Sequence, residues 1–454
     1  MNAPRTQKSE ASSIWHLRPH WKALTQAPRA HLRPIDGLRA LSILLVFAFH
    51  LIWCAQVVIR DTYVQFQQLP PWVQWLKSGA FGVEAFFLLS GFLIGRLLIL
   101  EFDATKDLQF KRFYVRRFLR LMPAYFIAIA SAAIGSIVYP GPSQVFEREM
   151  STNVENLWTN LLYINNFWPV KEQFLSHTWS LAVEEQFYFI APVLLLFMLR
   201  RQLFHHLTKV VVLTLVAYIG SRFYFLAEAM TLMQSQCSNA PSDLSGPMLE
   251  ASLQIFVSPL HDCVSATEFG VLYDNLYTRF LGFVVGIAAA LLHVRHAEAL
   301  RTWFYGSKLC IPITILATLA VLYPFAEQFL FNDTQIRLIS SRIIAHPMLN
   351  FGLGFWILSL LHGSGRLNQW TARLLSSRPL YVIAQLSYSM YLFHILIILG
   401  VYQGLVAQWS EISIAMLMLM GGCVALPLTL LISAGVYLFV ERPGIALRGR
   451  LPQR

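Results

Sequence analysis

Long apolar blocks alternate with short polar connectors along almost the whole chain. Ten blocks stand out, at 35–57, 78–100, 121–139, 180–199, 210–227, 276–294, 309–326, 346–362, 380–402 and 414–440. At a helical rise of about 1.5 Å per residue, each approaches or exceeds the roughly 30 Å of hydrocarbon in a bilayer. The pattern predicts an all-α, polytopic membrane protein of about ten transmembrane helices.

The connectors sort by charge when taken alternately. Segments 1–34, 101–120, 200–209, 295–308, 363–379 and 441–454 hold 25 of the 35 Lys and Arg residues. The opposite set holds six, and four more (Arg39, Arg96, Arg222 and Arg279) lie in spans or at their ends. Cytoplasmic connectors carry the basic excess, so both termini are expected in the cytoplasm. Residues 1–34 then form a basic cytoplasmic tail, expected to be mobile, 35–443 the membrane domain, and 444–454 a second tail. The first tail lacks an apolar h-region, so the first span itself is expected to direct insertion.

Composition agrees with this reading. The chain is 56% hydrophobic and 13% charged, where a soluble protein carries about a quarter charged residues. Its net charge of +11 follows from the topology. The basic groups sit beside helix ends rather than in a stripe with stacking aromatics, which points to membrane lipid as a partner and away from nucleic acid. Of the five cysteines, Cys237 and Cys263 share the outside loop 228–275 and could close a disulfide. No Cys/His spacing suggests a metal. Residues 156–163 could form a short interfacial helix, and the acidic 228–275 loop is either solvated or a lid.

The polar residues within the spans carry the chemistry, because an ionisable group in lipid is costly. Arg39 and His50 are eleven residues apart in the first span. Eleven steps of about 100° bring both to one face, about 16 Å apart along the axis. His50 lies in the outer half, where an imidazole suits a general base for a hydroxyl proton; the alternative is a structural histidine bonded to a carbonyl. His394, in the ninth span, falls near the same depth, with the same two readings. Glu184 and Glu185 begin the fourth span; either is favoured there by the helix dipole, and one, Glu184 by preference, could orient His50. Glu84, near the outer end of the second span, is either solvated or a cavity residue. Gly82, Ser90, Gly91 and Gly95 in that span read as small packing residues. Arg117 and Arg120, three apart on one face with Arg116 beside them, either anchor the cytoplasmic rim or bind a phosphate-rich donor such as coenzyme A.

Taken together, the motifs resemble the membrane-bound acyltransferase-3 family. They are Arg-Pro-Ile-Asp-Gly-Leu-Arg-Ala (33–40) leading to His50, Phe-Phe-Leu-Leu-Ser-Gly-Phe-Leu-Ile (86–94), Arg-Arg-Phe-Leu-Arg-Leu-Met-Pro (116–123), Trp-Ser-Leu-Ala-Val-Glu-Glu-Gln-Phe-Tyr (179–188), Ser-Tyr-Ser-Met-Tyr-Leu-Phe-His (387–394) and Glu-Arg-Pro (441–443). They run in the family's order. The resemblance implies a multi-pass O-acyltransferase of the bacterial cytoplasmic membrane with no permanently bound cofactor. Its donor is a cytoplasmic acyl-coenzyme A, expected to be acetyl-coenzyme A, and its acceptor a hydroxyl of a surface or secreted glycan. It further implies donor binding at Arg39, Arg117 and Arg120, and a stand-alone form lacking the SGNH hydrolase-like domain of many members, so that a second transfer step would fall to a glycan-assembly partner. Two other classes stay open: a transporter or flippase of a lipid-linked glycan, and a silent scaffold.

Overall fold

The computed structural model describes residues 16–27, 32–59, 75–138, 154–236, 269–331 and 334–448, together with Leu69, Val73 and Thr267. Among these the chain is helical throughout, with ten helices long and apolar enough to cross a membrane. After a short helix α1 (Leu17–Thr25) come α2 (Arg33–Val58), α3 (Phe81–Thr105), α4 (Phe110–Val138), α5 (Trp179–Arg200) and α6 (Leu207–Gln236). Then follow α7 (Leu276–Arg295), α8 (Cys310–Leu330), α9 (Ala345–His362), α10 (Arg378–Gln408) and α11 (Ile414–Val436). Each of α2–α11 corresponds to one apolar block of the sequence. The stretch 237–266, with Cys237 and Cys263, lies outside the described residues.

Two helix pairs form the centre. α3 packs along α7, and its glycines make that approach possible: a Cβ on Gly91 would sit 2.2 Å from the Phe283 carbonyl oxygen, and one on Gly286 2.2 Å from that of Leu88. Small residues let backbones touch where lipid gives no hydrophobic drive for helix pairing. α2 packs against α10, and Gly82 of α3 fits against the Ser42 carbonyl of α2. The outer ring is formed by α6, α8 and α11, which present large apolar side chains such as Leu213, Ile311 and Leu431, as a lipid-facing surface requires.

Three local features differ from the sequence reading. The third span begins at Phe110, not 121, so Arg112, Arg116, Arg117 and Arg120 lie within α4 rather than in a loop. Pro123 in that helix has no N–H to give the Leu119 carbonyl, and Gly444 of the C-terminal segment approaches that freed oxygen closely. The N-terminal tail, expected to be mobile, is packed over its described helix: His20 and Leu24 of α1 are buried, with His20 Nδ1 3.1 Å from the Leu438 carbonyl oxygen and the Tyr381 hydroxyl donating to the Ala23 carbonyl at 2.9 Å. Finally, the short helix expected within 156–163 is present at Leu157–Leu161, and it is set in a packed run of short turns over 154–178 rather than standing alone. Within it Asn160 Nδ2 donates to the Phe174 carbonyl (2.7 Å) and to Thr178 Oγ1 (2.9 Å).

The glycine contacts give a direct test. Gly91→Val should lower the stability of the detergent-solubilised protein by about 3 kcal/mol or prevent folding, as overpacking does. Gly135→Ala, where nothing lies within 4 Å, should leave the thermal midpoint unchanged. Both are read by thermal unfolding followed by circular dichroism.

Candidate active site

The α2–α10 pair carries two polar rungs. At the lower one Arg39 Nη2 donates to Ser387 Oγ at 3.0 Å. At the upper one His394 Nε2 lies 3.1 Å from His50 Nδ1, and the two rings are 4.7 Å apart between centroids. Residue numbers increase in the same direction from rung to rung on both helices, so α2 and α10 run parallel, as a first and a ninth span should. The helical arithmetic that put Arg39 and His50 on one face and His394 at the depth of His50 therefore describes a real contact surface.

Around the lower rung the charges gather. Arg120 of α4 lies within electrostatic reach of Arg39, Arg117 and Glu441. Glu441 is buried, closes a hydrogen bond with the Ser389 hydroxyl, and also feels Arg39. It reaches this position at the end of a π-helical turn, Tyr437–Glu441, that follows α11. Guanidinium groups side by side repel, and far more so away from bulk water; the carboxylate offsets that repulsion. In the sequence Glu441 stands only within the Glu-Arg-Pro motif, outside the candidate site. Its missed signal is the Glu-Arg-Pro motif itself, whose acid has to be balanced by something inside the membrane.

Between the rungs lies a third cluster. The Arg117 guanidinium stacks on the Tyr188 ring at 3.3 Å. The Tyr188 and Ser90 hydroxyls both donate to Glu184, and the two hydroxyl oxygens lie 3.0 Å apart. The expected Glu184–His50 pair is thus not formed. Glu184 spends its acceptor on α3 and on its own helix turn, because Tyr188 stands four residues on, on the same face. The side-chain partner of His50 is His394. Glu185 lies within reach of the charges of Arg117 and Glu184. Arg116 faces elsewhere, with Arg112 and Glu101 as charged neighbours.

These groups sit deep among helices yet keep accessible surface. Arg39 is 17% exposed at its side chain, Arg120 is exposed, and His50, Arg117, Glu184 and Glu185 are partly so. Surface kept by polar side chains at this depth is what a cavity lined by them would need. Glu84 is the contrast. Rather than meeting solvent, it is 1% exposed and bound to Arg279 Nη1 (3.2 Å), His346 Nδ1 (3.3 Å) and Asn350 Nδ2 (2.7 Å). Arg279 also stacks on Tyr273 and donates its Nε–H to the Tyr273 carbonyl. Arg279, His346 and Asn350 are absent from the sequence-derived site, although an acid in one span and an arginine in another signal a buried pair. This network is buried and ties α3, α7 and α9 together.

A family profile described as an acyltransferase domain matches residues 33–438, which takes in every group just described except Glu441. Peptidoglycan O-acetyltransferase OatA of Listeria monocytogenes is 32% identical over 191 residues, covering 39% of this chain and 26% of that protein. O-acetyltransferase OatA of Staphylococcus aureus is 24% identical over 428 residues, covering 92% of this chain and 57% of its own length. The chain thus spans less than two thirds of these relatives. No solved structure is significantly similar.

The buried network makes a prediction. Glu84→Ala leaves Arg279 without its carboxylate and should cost about 3–5 kcal/mol, whereas Glu84→Met combined with Arg279→Met should recover most of that loss. Thermal stability of the three purified proteins checks it.

Proposed function

This chain belongs to the acyltransferase-3 family, and on that premise we propose that it is a membrane O-acetyltransferase of a glycan, fed by acetyl-coenzyme A from the cytoplasmic side of the bacterial inner membrane. The observation that carries the reading is the pairing of a guanidinium pole at Arg39 with an imidazole pole at His50 on one helix face, both retaining accessible surface. Guanidinium groups bind phosphate in bidentate fashion and suit a coenzyme A head group. Arg39 and Arg120 hold those phosphates, with Arg117 above them, and the pantetheine arm runs toward His50 over the about 16 Å that separates the two residues along the helix.

The chemistry balances within one cavity. His50 takes the proton of an acceptor hydroxyl as its oxygen attacks the thioester carbonyl carbon. The carbon–sulfur bond breaks, and His50 returns the proton to the departing sulfur, so that an O-acetyl ester and free coenzyme A thiol leave. Glu184 keeps a supporting role through Tyr188 and Arg117 rather than through the base. A glycan acceptor is favoured by the names of the relatives, which are O-acetyltransferases and in one case act on peptidoglycan.

Purified protein in detergent, given acetyl-coenzyme A and a glycan acceptor, should release free thiol and form an ester. His50→Ala should lower kcat by about 100-fold or more. Arg120→Ala should raise the KM for acetyl-coenzyme A about tenfold, as loss of a charged hydrogen bond does, and added salt should raise it further in the wild type. Glycan movement across a bilayer without thioester consumption would instead identify a flippase, and full activity in His50→Ala would remove the base.

A further inference from the structure

We infer that His394 is a positioning residue that, together with the Val46 carbonyl, fixes the tautomer and orientation of His50 and so leaves His50 Nε2 as the basic nitrogen. The inference rests on the reading of His50 as the base. His50 Nδ1 is 2.8 Å from the Val46 carbonyl oxygen, one turn back on α2, and 3.1 Å from His394 Nε2. His394 Nδ1 in turn is 2.8 Å from the Tyr391 carbonyl oxygen and 3.1 Å from that of Met390. A carbonyl oxygen can only accept, so His394 must carry its proton on Nδ1, and its Nε2 is then a lone pair. The same rule puts the His50 proton on Nδ1, where it is shared between the Val46 carbonyl and that lone pair. The opposite assignment at either ring would set two lone pairs against each other.

His394 itself cannot be the base. It is fully buried (0% exposed), whereas His50 keeps accessible surface. Its placement is enforced from the outer side of the site. The Tyr391 hydroxyl, three residues before it, donates to the His177 carbonyl oxygen at 2.7 Å and pairs with the Ser180 hydroxyl. The His177 ring lies 5.9 Å from the His394 ring, and Phe47 flanks the other side at 6.4 Å. The start of α5 therefore holds the turn of α10 that holds His50. A histidine kept only for packing would need neither the acceptor nitrogen facing His50 nor this second layer of hydrogen bonds. The logic is that of a catalytic histidine whose far nitrogen is held by a partner.

The test compares His394→Phe, which keeps the ring and removes the acceptor, with His394→Gln, whose amide oxygen can take the place of Nε2. His394→Phe should lower kcat about 100-fold with the KM for acetyl-coenzyme A unchanged, and His394→Gln should recover most of that loss. Nitrogen-15 NMR of labelled histidine should show His50 as the Nδ1–H tautomer in the wild type and in His394→Gln, with a smaller Nδ1–H share in His394→Phe, where the Val46 carbonyl alone is left to accept. Unaltered kcat in His394→Phe, or an unaltered His50 tautomer there, overturns the inference. If His394→Phe fails to fold, His394→Gln decides it: a folded but inactive Gln variant contradicts the proposal, and an active one with the Nδ1–H tautomer supports it. Activity surviving in His50→Ala would instead sink the reading of His50 as base, whatever the His394 variants do.

Discussion

A polar side chain in hydrocarbon has to find its partners within the protein, and here the parallel helices α2 and α10 supply them to each other. Arg39 meets Ser387 and His50 meets His394, so that two groups lipid would reject become the two ends of one polar seam. The remaining arrangement follows from this seam. α4 brings Arg120 and Arg117 to its flank, the turn after α11 brings Glu441 beneath them, and α5 places Glu184 and Tyr188 between the two rungs. Pro123 in α4 and Gly444 after α11 are the backbone devices that let those two segments meet.

The membrane domain contains a second polar layer with the opposite character. The network of Glu84, Arg279, His346 and Asn350 is buried, with every member at most 4% exposed, while the α2–α10 seam keeps accessible surface at Arg39 and His50 and buries their partners Ser387 and His394. Both satisfy the same rule about buried charge. One does so with partners alone and stabilises a helix contact; the other leaves capacity for a ligand.

Much of this was legible in the residues. The ten spans follow from apolar length alone, and the shared depth of His50 and His394 follows from counting residues from the helix ends. The start of α4 did not, because four arginines read as a loop when hydropathy is averaged, although a helix can carry them where they turn toward other helices. The partner of Glu184 also escaped: periodicity says which residues share a face on one helix, but not which helix that face meets. Tyr188, four residues after Glu184, was the available clue. Arg279 and Glu84 were each visible as intramembrane charges, yet their pairing depends on α3 lying against α7, which the glycines permit without announcing.

The proposed function requires one passage across the membrane, with the donor entering at the Arg39 end and the acceptor at the His50 end. Proteoliposomes with acetyl-coenzyme A supplied only outside the vesicle and a glycan acceptor sealed only inside test it directly, the protein being oriented with its Arg39 end outward. Acetyl ester should form on the enclosed glycan, with free thiol appearing outside in equal amount. Thiol release without ester inside, or ester formed only when donor and acceptor share one compartment, would contradict the proposed function.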